Sequence, residues 1–206
     1  MKELFQTYSH SQRALFAECP RKYSYKYIED LAEETGIAAS FSSDCVHPLM
    51  QRMHQSPDPL GEDGFAQGLF EVWQGKVGWK RLKEPHCSLV TLRKIIAQYG
   101  PMLVADREEG WVCEGVEVKR VLPGHQAEKQ LRYTAKVDVL ESMCQANGGD
   151  GLKMERPVEF KFSASSIEHA WEMDNQLVGY AACCGVGEVM LVEVRCEKGR
   201  KGEGGK

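Results

Sequence analysis

Two stretches in the second half of the chain decide the fold: LRYTAKVDVLE at residues 131–141 and PVEFKF at residues 157–162. In both, polar and apolar side chains alternate, which is typical of a β-strand with one buried face. Because side chains alternate across a strand, Glu159 and Lys161 lie on one face and Phe160 on the other. A carboxylate and an ammonium group in an otherwise apolar strand are costly to bury without a purpose. The two strands therefore predict a sheet that carries a polar site.

The first half of the chain reads as helical. Ser9 with Gln12 three positions later forms a capping box that opens a short helix, and Pro20 suits the first turn of a second helix, at 20–31. The stretch 31–40 is predicted as a loop or a helix end. Three more helices are predicted at 41–55 with Ser43 or Asp44 as its cap, at 63–81, and at 86–107 with Gly100-Pro101 as a potential break.

The second half switches to a period of two residues and predicts an antiparallel meander. Its strands are placed at 111–122, 131–141 and 157–162, with a turn at 145–156 that is rich in Gly and Asn. A helix at about 164–184 and a last strand at 188–196 follow. The fold class is therefore α+β, with a central sheet and a helical N-terminal half.

Length and composition place few limits on function. The chain has 206 residues and a net charge of −4, so we expect one domain over residues 1–196 and no global basic signature. The basic, Gly-rich tail at 197–206 lacks apolar residues and is predicted to be disordered. The start of the chain shows no signal-peptide pattern and no stretch is long enough to span a membrane, so a cytoplasmic location is expected.

Asp138 on one strand and the Glu159-x-Lys161 pattern on the next suit the cleavage of phosphodiester bonds. Carboxylate oxygens hold the divalent cations that this reaction needs, and a lysine beside them orients or deprotonates the attacking water. Asp138 could instead lie on a solvated face with Thr134 and Lys136. Glu159 and Lys161 could form an exposed ion pair worth less than about 1 kcal/mol. The apolar neighbours of Glu159 favour a central strand, and hence metal ligation.

Five short sequence patterns along the chain support the interpretation of a metal site. In order, they are SHSQ with CPRKYSYKY at 9–27, SSDCVH at 42–47, TAKVDV at 134–139, VEFKFS at 158–163 and NQLVGY at 175–180. With these patterns the chain resembles the PD-(D/E)XK nuclease superfamily, and in particular its RecB-like branch, which includes phage exonucleases and CRISPR-associated adaptation nucleases. The resemblance covers residues 7–196. Ser43 and Ala135 replace glycines of the family pattern, and both are small residues.

The resemblance implies a restriction-endonuclease-like core, with a mixed central sheet flanked by helices, and a role for individual residues. The implied ligands of a Mg²⁺ or Mn²⁺ ion are His47, Asp138, Glu159 and the main-chain carbonyl of Phe160. The implied catalytic residues are Asp138, Glu159, Lys161, Gln176 and Tyr180. Gln176 and Tyr180 are four residues apart and so share one helical face. The alternative for Tyr180 is a core tyrosine with a polar neighbour.

The cysteines argue against an iron–sulfur cluster. Some relatives hold such a cluster with one N-terminal cysteine and three clustered C-terminal ones. Cys19 would serve as the first, but Cys183 and Cys184 are adjacent and only Cys196 follows them. We therefore expect no cluster, and we expect most of the eight cysteines to be small buried residues.

DNA is the substrate that the resemblance implies, with an exonuclease role in recombination, repair or phage DNA metabolism. Arg21 and Lys22 are candidate contacts for the DNA backbone, although exposed basic residues are often only solvated, and Glu114 and Glu117 are weaker candidates on the neighbouring strand. The tyrosines at 23, 25 and 27 are expected in the core and at its rim rather than as base-stacking platforms. No P-loop pattern is present, so a helicase would be a separate protein. The rivals are a catalytically inactive DNA-binding or assembly module and a metal-free structural domain.

Overall fold

The computed structural model of the chain describes residues 6–31, 36–78, 86–122, 131–145, 152–163 and 170–195. These residues form helices and a mixed sheet, as expected for the α+β class. They divide into two compact units: residues 1–34, 111–159 and 169–190, and residues 35–110, 160–168 and 191–206. No helix in the described ranges has the length and apolar character needed to cross a membrane. The predicted tail at 197–206 lies outside the described residues.

Helices of the first unit begin as the sequence predicts. The helix α1 spans His10–Glu18, and its capping box is present: the Ser9 side chain accepts from the Gln12 amide, and the Gln12 side chain accepts from the Ser9 amide. Next, α2 spans Pro20–Tyr23 with proline in its first turn, and a π-helical turn at Ser24–Ile28 continues it. The second helix thus ends near Ile28 rather than at residue 31.

The second unit contains four helices within the described residues. They are α3 at Ile37–Phe41, α4 at His47–Gln55, α5 at Asp63–Val77 and α6 at Leu89–Glu108. A second π-helical turn, Ser42–Val46, connects α3 to α4. The predicted cap at Ser43 or Asp44 is therefore wrong, because the helical segment already begins after Gly36. Pro48 does lie in the first turn of α4, and α6 continues through Pro101.

The core of the second unit is aromatic and aliphatic. Phe41 and Trp73 pack edge to face with their ring centroids 5.0 Å apart, and the Trp73 indole donates a 3.1 Å hydrogen bond to the Ser40 hydroxyl. His54 is buried here too, with Nε2 2.8 Å from the Tyr99 hydroxyl. These contacts account for the helical N-terminal half, since each helix buries one apolar stripe.

Five strands form one sheet within the described residues, in the order β1-β3-β4-β5, with β2 paired to β3. Their bounds are β1 at Gln6–Tyr8, β2 at Val112–Val121, β3 at Leu131–Gln145, β4 at Leu152–Ser163 and β5 at Met190–Arg195. The pairs β2–β3 and β3–β4 are antiparallel, which confirms the predicted meander, and β1 runs parallel to β3. The helix α7, Ala170–Cys184, packs on β3 and β2.

Two strand features differ from the sequence prediction. The turn predicted at 145–156 is shorter, because Gln145 pairs with Leu152 and the strands pair up to that point. The parallel strand β1 was not predicted at all. Residues 79–81 and 164–169, which the sequence assigns to helix ends, lie outside the described residues.

Candidate active site

The centre of the site is the register between β3 and β4. Val139 pairs with Val158, and the pairing continues from there to Gln145 and Leu152. Asp138 and Glu159 are each the next residue beyond the Val139–Val158 pair, so the register brings them side by side on neighbouring strands. Since Val139 and Val158 are fully buried on one face, the two carboxylates share the other face. The structure thus brings together the two acids that the sequence singled out.

An ion pair on the same two strands supports this register. Arg156 on β4 lies opposite Glu141 on β3, and its Nε and Nη2 atoms lie 3.0 Å and 2.6 Å from Oε2 of Glu141. The ring of Trp111 covers the Arg156 guanidinium, with 4.1 Å between Cζ and the ring centroid. Both partners of the pair are largely buried. A slip of one residue would break this pair and also move the two acids to opposite faces.

Glu159 is the most buried acid of the site, with only 4% of the residue exposed. Its Oε1 atom accepts a 3.0 Å hydrogen bond from Nε2 of Gln176 on α7. Gln176 also donates to the hydroxyl oxygen of Tyr180, one turn further along the same helix. The Gln–Tyr face of α7 therefore contacts the carboxylate of Glu159.

Tyr180 is a core residue, and the family pattern also predicts it for the site. It belongs to a buried cluster with Ala135, Val137, Leu140 and Cys183, and 6% of the residue is exposed. Burial raises the pKa of the Tyr180 hydroxyl far above its ordinary value, and the nearby charges of Glu159 and Asp138 raise it further. The phenol consequently keeps its proton at physiological pH. It can donate a hydrogen bond but cannot act as a base.

The residues that follow Glu159 belong to the second compact unit. The side chain of Phe160 is buried, and the ring of His47 packs against it edge to face at 6.0 Å between centroids. His47 therefore contacts the residue whose main-chain carbonyl is a predicted metal ligand. Lys161 is half-buried. By strand alternation it projects from the same face of β4 as Glu159.

The donor set matches the chemistry of a hard divalent cation. Mg²⁺ is commonly held by one or two carboxylates together with waters and substrate phosphates, so Asp138 and Glu159 provide enough protein ligands. Among the described residues, no group of three His, Cys, Asp or Glu side chains converges on one point. Further metal ligands would thus come from the main chain, from water or from the substrate. Among the side chains, His47 is the predicted additional ligand.

The strand β2 places Glu117, which the sequence predicted only as a weak candidate, beside Asp138. Val116 pairs with Val139 and Val118 with Val137, so Glu117 lies between them and next to Asp138. Glu117 has a φ of 54°, which is uncommon for a residue with a side chain, and it forms an ion pair with Lys136. The register of β2 on β3 shifts between Cys113 and Gly115, and no sequence pattern marks that shift.

Glu114 and the predicted DNA contacts have local partners. Glu114 accepts a hydrogen bond from the Ser142 hydroxyl and lies 3.1 Å from Nζ of Lys153, and these interactions lower the pKa of Glu114. Arg21 and Lys22 lie exposed on α2. Arg21 donates to the Tyr25 hydroxyl, and Lys22 forms an ion pair with Glu18.

Comparison with known families identifies the architecture. A family model described as the PD-(D/E)XK nuclease superfamily matches residues 7–199, which is nearly the whole chain. A search of curated proteins finds no significant match. The matched range contains β3, β4 and α7, and thus every residue of the site described above.

Proposed function

Because the chain belongs to the PD-(D/E)XK nuclease superfamily, we propose that it is a metal-dependent deoxyribonuclease that hydrolyses phosphodiester bonds. The observation that carries this proposal is the β3–β4 register, which sets Asp138 beside Glu159 on one face of the sheet. Members of this superfamily are usually nucleases. Two adjacent carboxylates repel each other, and a divalent cation bound between them would offset that repulsion.

Mg²⁺ or Mn²⁺ is the proposed cofactor, held by Asp138, Glu159, the carbonyl of Phe160 and His47. When bound, such an ion lowers the pKa of a water and offsets the charge that develops on the phosphate. Glu159 is kept in place for this role by its hydrogen bond from Gln176. Partners of this kind orient a ligating carboxylate and tune its affinity for the metal.

Lys161 is the proposed activator of the attacking water. Its ammonium group projects from the same face of β4 as Glu159 and so orients the water or offsets charge on the scissile phosphate. Gln176 and Tyr180 are proposed to support this arrangement as hydrogen-bond donors. Tyr180 is suited to that role because its raised pKa keeps the phenol neutral. A neutral donor also adds no negative charge beside the two carboxylates.

The N-terminal and C-terminal sequence patterns support a more specific assignment within the superfamily. We propose that the chain belongs to the RecB-like branch and acts as an exonuclease in recombination, repair or phage DNA metabolism. Arg21 and Lys22 are proposed to contact the DNA backbone, and any helicase or recombination protein that supplies the DNA end would be a separate partner. The support is the ordered set of motifs, with the Ser9 capping box and Pro20 at the start and the Gln176–Tyr180 helix at the end.

A cleavage assay on end-labelled DNA tests this function. Linear and circular substrates, each single- and double-stranded, are incubated with Mg²⁺, Mn²⁺ or EDTA. A metal-dependent exonuclease would degrade linear DNA with either metal, would leave circular DNA intact and would be inactive in EDTA. Cleavage of circular DNA would support an endonuclease instead. Binding without cleavage in either metal would overturn the nuclease proposal and favour a silent DNA-binding module.

A further inference from the structure

The helix α5 carries an exposed apolar face. Val72 is 63% exposed and Phe65 is 39% exposed, and the glycines at 64, 68 and 75 are exposed as well. Because successive residues of a helix are about 100° apart, these five positions fall within one arc of about 100°. We call the set Gly64, Phe65, Gly68, Val72 and Gly75 the α5 face. An exposed apolar face of this kind is typical of an interaction site.

The fold around α5 does not require the three glycines of this face. Apart from the backbone of the same helix, a Cβ atom added at Gly64, Gly68 or Gly75 would meet no described residue within 4 Å. Glycine is less favourable than alanine in the interior of a helix, because it loses more backbone entropy on folding. Glycine does, however, let a second backbone approach closely. The α5 face is therefore suited to pack against another helix.

A cavity of about 370 Å³ adjoins the α5 face. Besides two of the glycines, it is lined by Phe65, Leu69, Val72, Trp73, Asp44 and Lys76. Nζ of Lys76 lies 3.3 Å from Oδ2 of Asp44, so the two charges offset each other. The surface is thus apolar without a net charge. Such a surface does not repel a second copy of the chain, although the whole chain has a net charge of −4.

The order of large and small residues along α5 is complementary to itself. When two copies of the helix pack antiparallel about a two-fold axis at the level of residue 70, positions equally far from that residue on either side come level with each other. Phe65 of one copy then lies level with Gly75 of the other, and Val72 lies level with Gly68. Each layer of the contact combines one large side chain with a glycine. This alternation lets the facing layers of two helices interdigitate.

We propose that α5 forms the interface of a homodimer, in which the α5 faces of two copies pack antiparallel. A second copy is the occupant because one face supplies both the large side chains and the space that receives them, as a two-fold interface requires. The proposal does not depend on the nuclease function. A single helix face is smaller than the roughly 800 Å² per partner of a standard interface, so we expect a weak dimer with a Kd on the order of 10–100 µM.

Sedimentation velocity of the full chain over a range of concentrations tests this interface, and the parent should show a reversible equilibrium between monomer and dimer. Val72→Glu should raise the Kd at least about tenfold, because it places a carboxylate within an apolar contact. Gly68→Ala should raise the Kd at least about fivefold by holding the two backbones apart. The same change should raise the melting temperature of the monomer, since alanine is the better helix former. These opposite effects separate an interface role from a folding defect.

Val90→Glu is the matched control, because Val90 lies on α6 and is 61% exposed, close to the value for Val72. It adds the same charge outside the α5 face and should leave the Kd within about twofold of the parent. A parent that stays monomeric at about 500 µM would overturn the proposal. A dimer with an unchanged Kd in Val72→Glu and Gly68→Ala would overturn it as well, since its interface would lie elsewhere.

Discussion

Nε2 of Gln176 lies 3.0 Å from Oε1 of Glu159 and joins the helix α7 to the strand that carries the buried carboxylate. The same amide group reaches the hydroxyl of Tyr180, so a single side chain connects the acid of β4 to the core beneath α7. Glu159 is almost wholly buried, and a carboxylate in that position depends on its hydrogen-bond donors. We therefore predict that Gln176 positions Glu159.

Gln176→Ala should lower cleavage about 10- to 100-fold and raise the Mg²⁺ concentration needed for half-maximal rate, because partners of metal ligands tune affinity by that amount. The measurement is a Mg²⁺ titration of the cleavage rate. Gln67→Ala is the matched control, since Gln67 on α5 also donates to a glutamate, Glu71, at 2.8 Å. An unshifted Mg²⁺ curve in Gln176→Ala would contradict the positioning role.

Tyr180→Phe should separate the contribution of the hydroxyl group from that of the aromatic ring. Tyr180 belongs to the buried core cluster that includes Val137 and Leu140, so phenylalanine should keep the fold, whereas Tyr180→Ala should cost about 3–5 kcal/mol. Burial raises the pKa of Tyr180 above its ordinary value of 10.0. The unfolded chain therefore releases this proton near pH 10 while the folded protein retains it.

The sign of the resulting pH dependence follows from that difference. The contribution of Tyr180 to stability is complete below about pH 10 and declines as the pH rises above it, by up to about 1.4 kcal/mol per pH unit. Tyr180→Phe should show a shallower alkaline decline in the free energy of unfolding. Urea denaturation at about pH 9 to 11 measures both proteins. Identical slopes would mean that the phenol ionises normally in the folded state.

Asp138→Asn and Lys161→Ala should each reduce DNA cleavage about a thousandfold or more, since one removes a proposed metal ligand and the other the proposed water activator. Both should leave the far-UV circular dichroism spectrum unchanged. Lys119→Ala is the control for Lys161, because Lys119 is an exposed lysine on β2 that pairs across to Lys136. Parental cleavage rates in either site variant would refute the assigned roles.

The strand pair was predictable because its signals are local. Alternation of polar and apolar residues fixes which side chains share a face, so Glu159 and Lys161 could be assigned to one face from the sequence alone. The capping box at Ser9 and the proline at Pro20 are local as well, since each satisfies or avoids a main-chain donor within one turn. These elements match the prediction.

The features that escaped prediction depend on distant partners. The strand β1 has three residues, too few for a period, and exists only through its parallel pairing with β3. The pairing of Gln145 with Leu152 extends the hairpin into a stretch whose glycines and asparagine suggested a longer turn. Glu117 lies beside Asp138 through the register of β2 on β3, and a single strand's sequence does not specify its partner's register.

Mg²⁺ or Mn²⁺ should raise the melting temperature relative to EDTA. A ligand that binds only the folded state at 100 times its Kd adds about 2.7 kcal/mol, which corresponds to roughly 5–10 °C in a chain of this size. Differential scanning fluorimetry measures the shift. It should disappear in Asp138→Asn. A shift of equal size in that variant would place the ion elsewhere, and no shift in the parent would favour a metal-free domain.

His47 and His54 should behave in opposite ways, although both pack against Phe160. The ring of His47 meets Phe160 from a half-exposed position at the start of α4, whereas His54 is buried with its Nε2 atom 2.8 Å from the Tyr99 hydroxyl. His47→Ala should raise the Mn²⁺ concentration needed for cleavage at little cost in stability. His54→Ala should lower the free energy of unfolding by about 1–3 kcal/mol, because it removes a buried hydrogen bond, and should leave the Mn²⁺ requirement unchanged. Paired urea melts and Mn²⁺ titrations measure both effects. If His47→Ala left the Mn²⁺ titration unaltered, His47 would be a packing residue for Phe160 and the metal would lack a histidine ligand from α4.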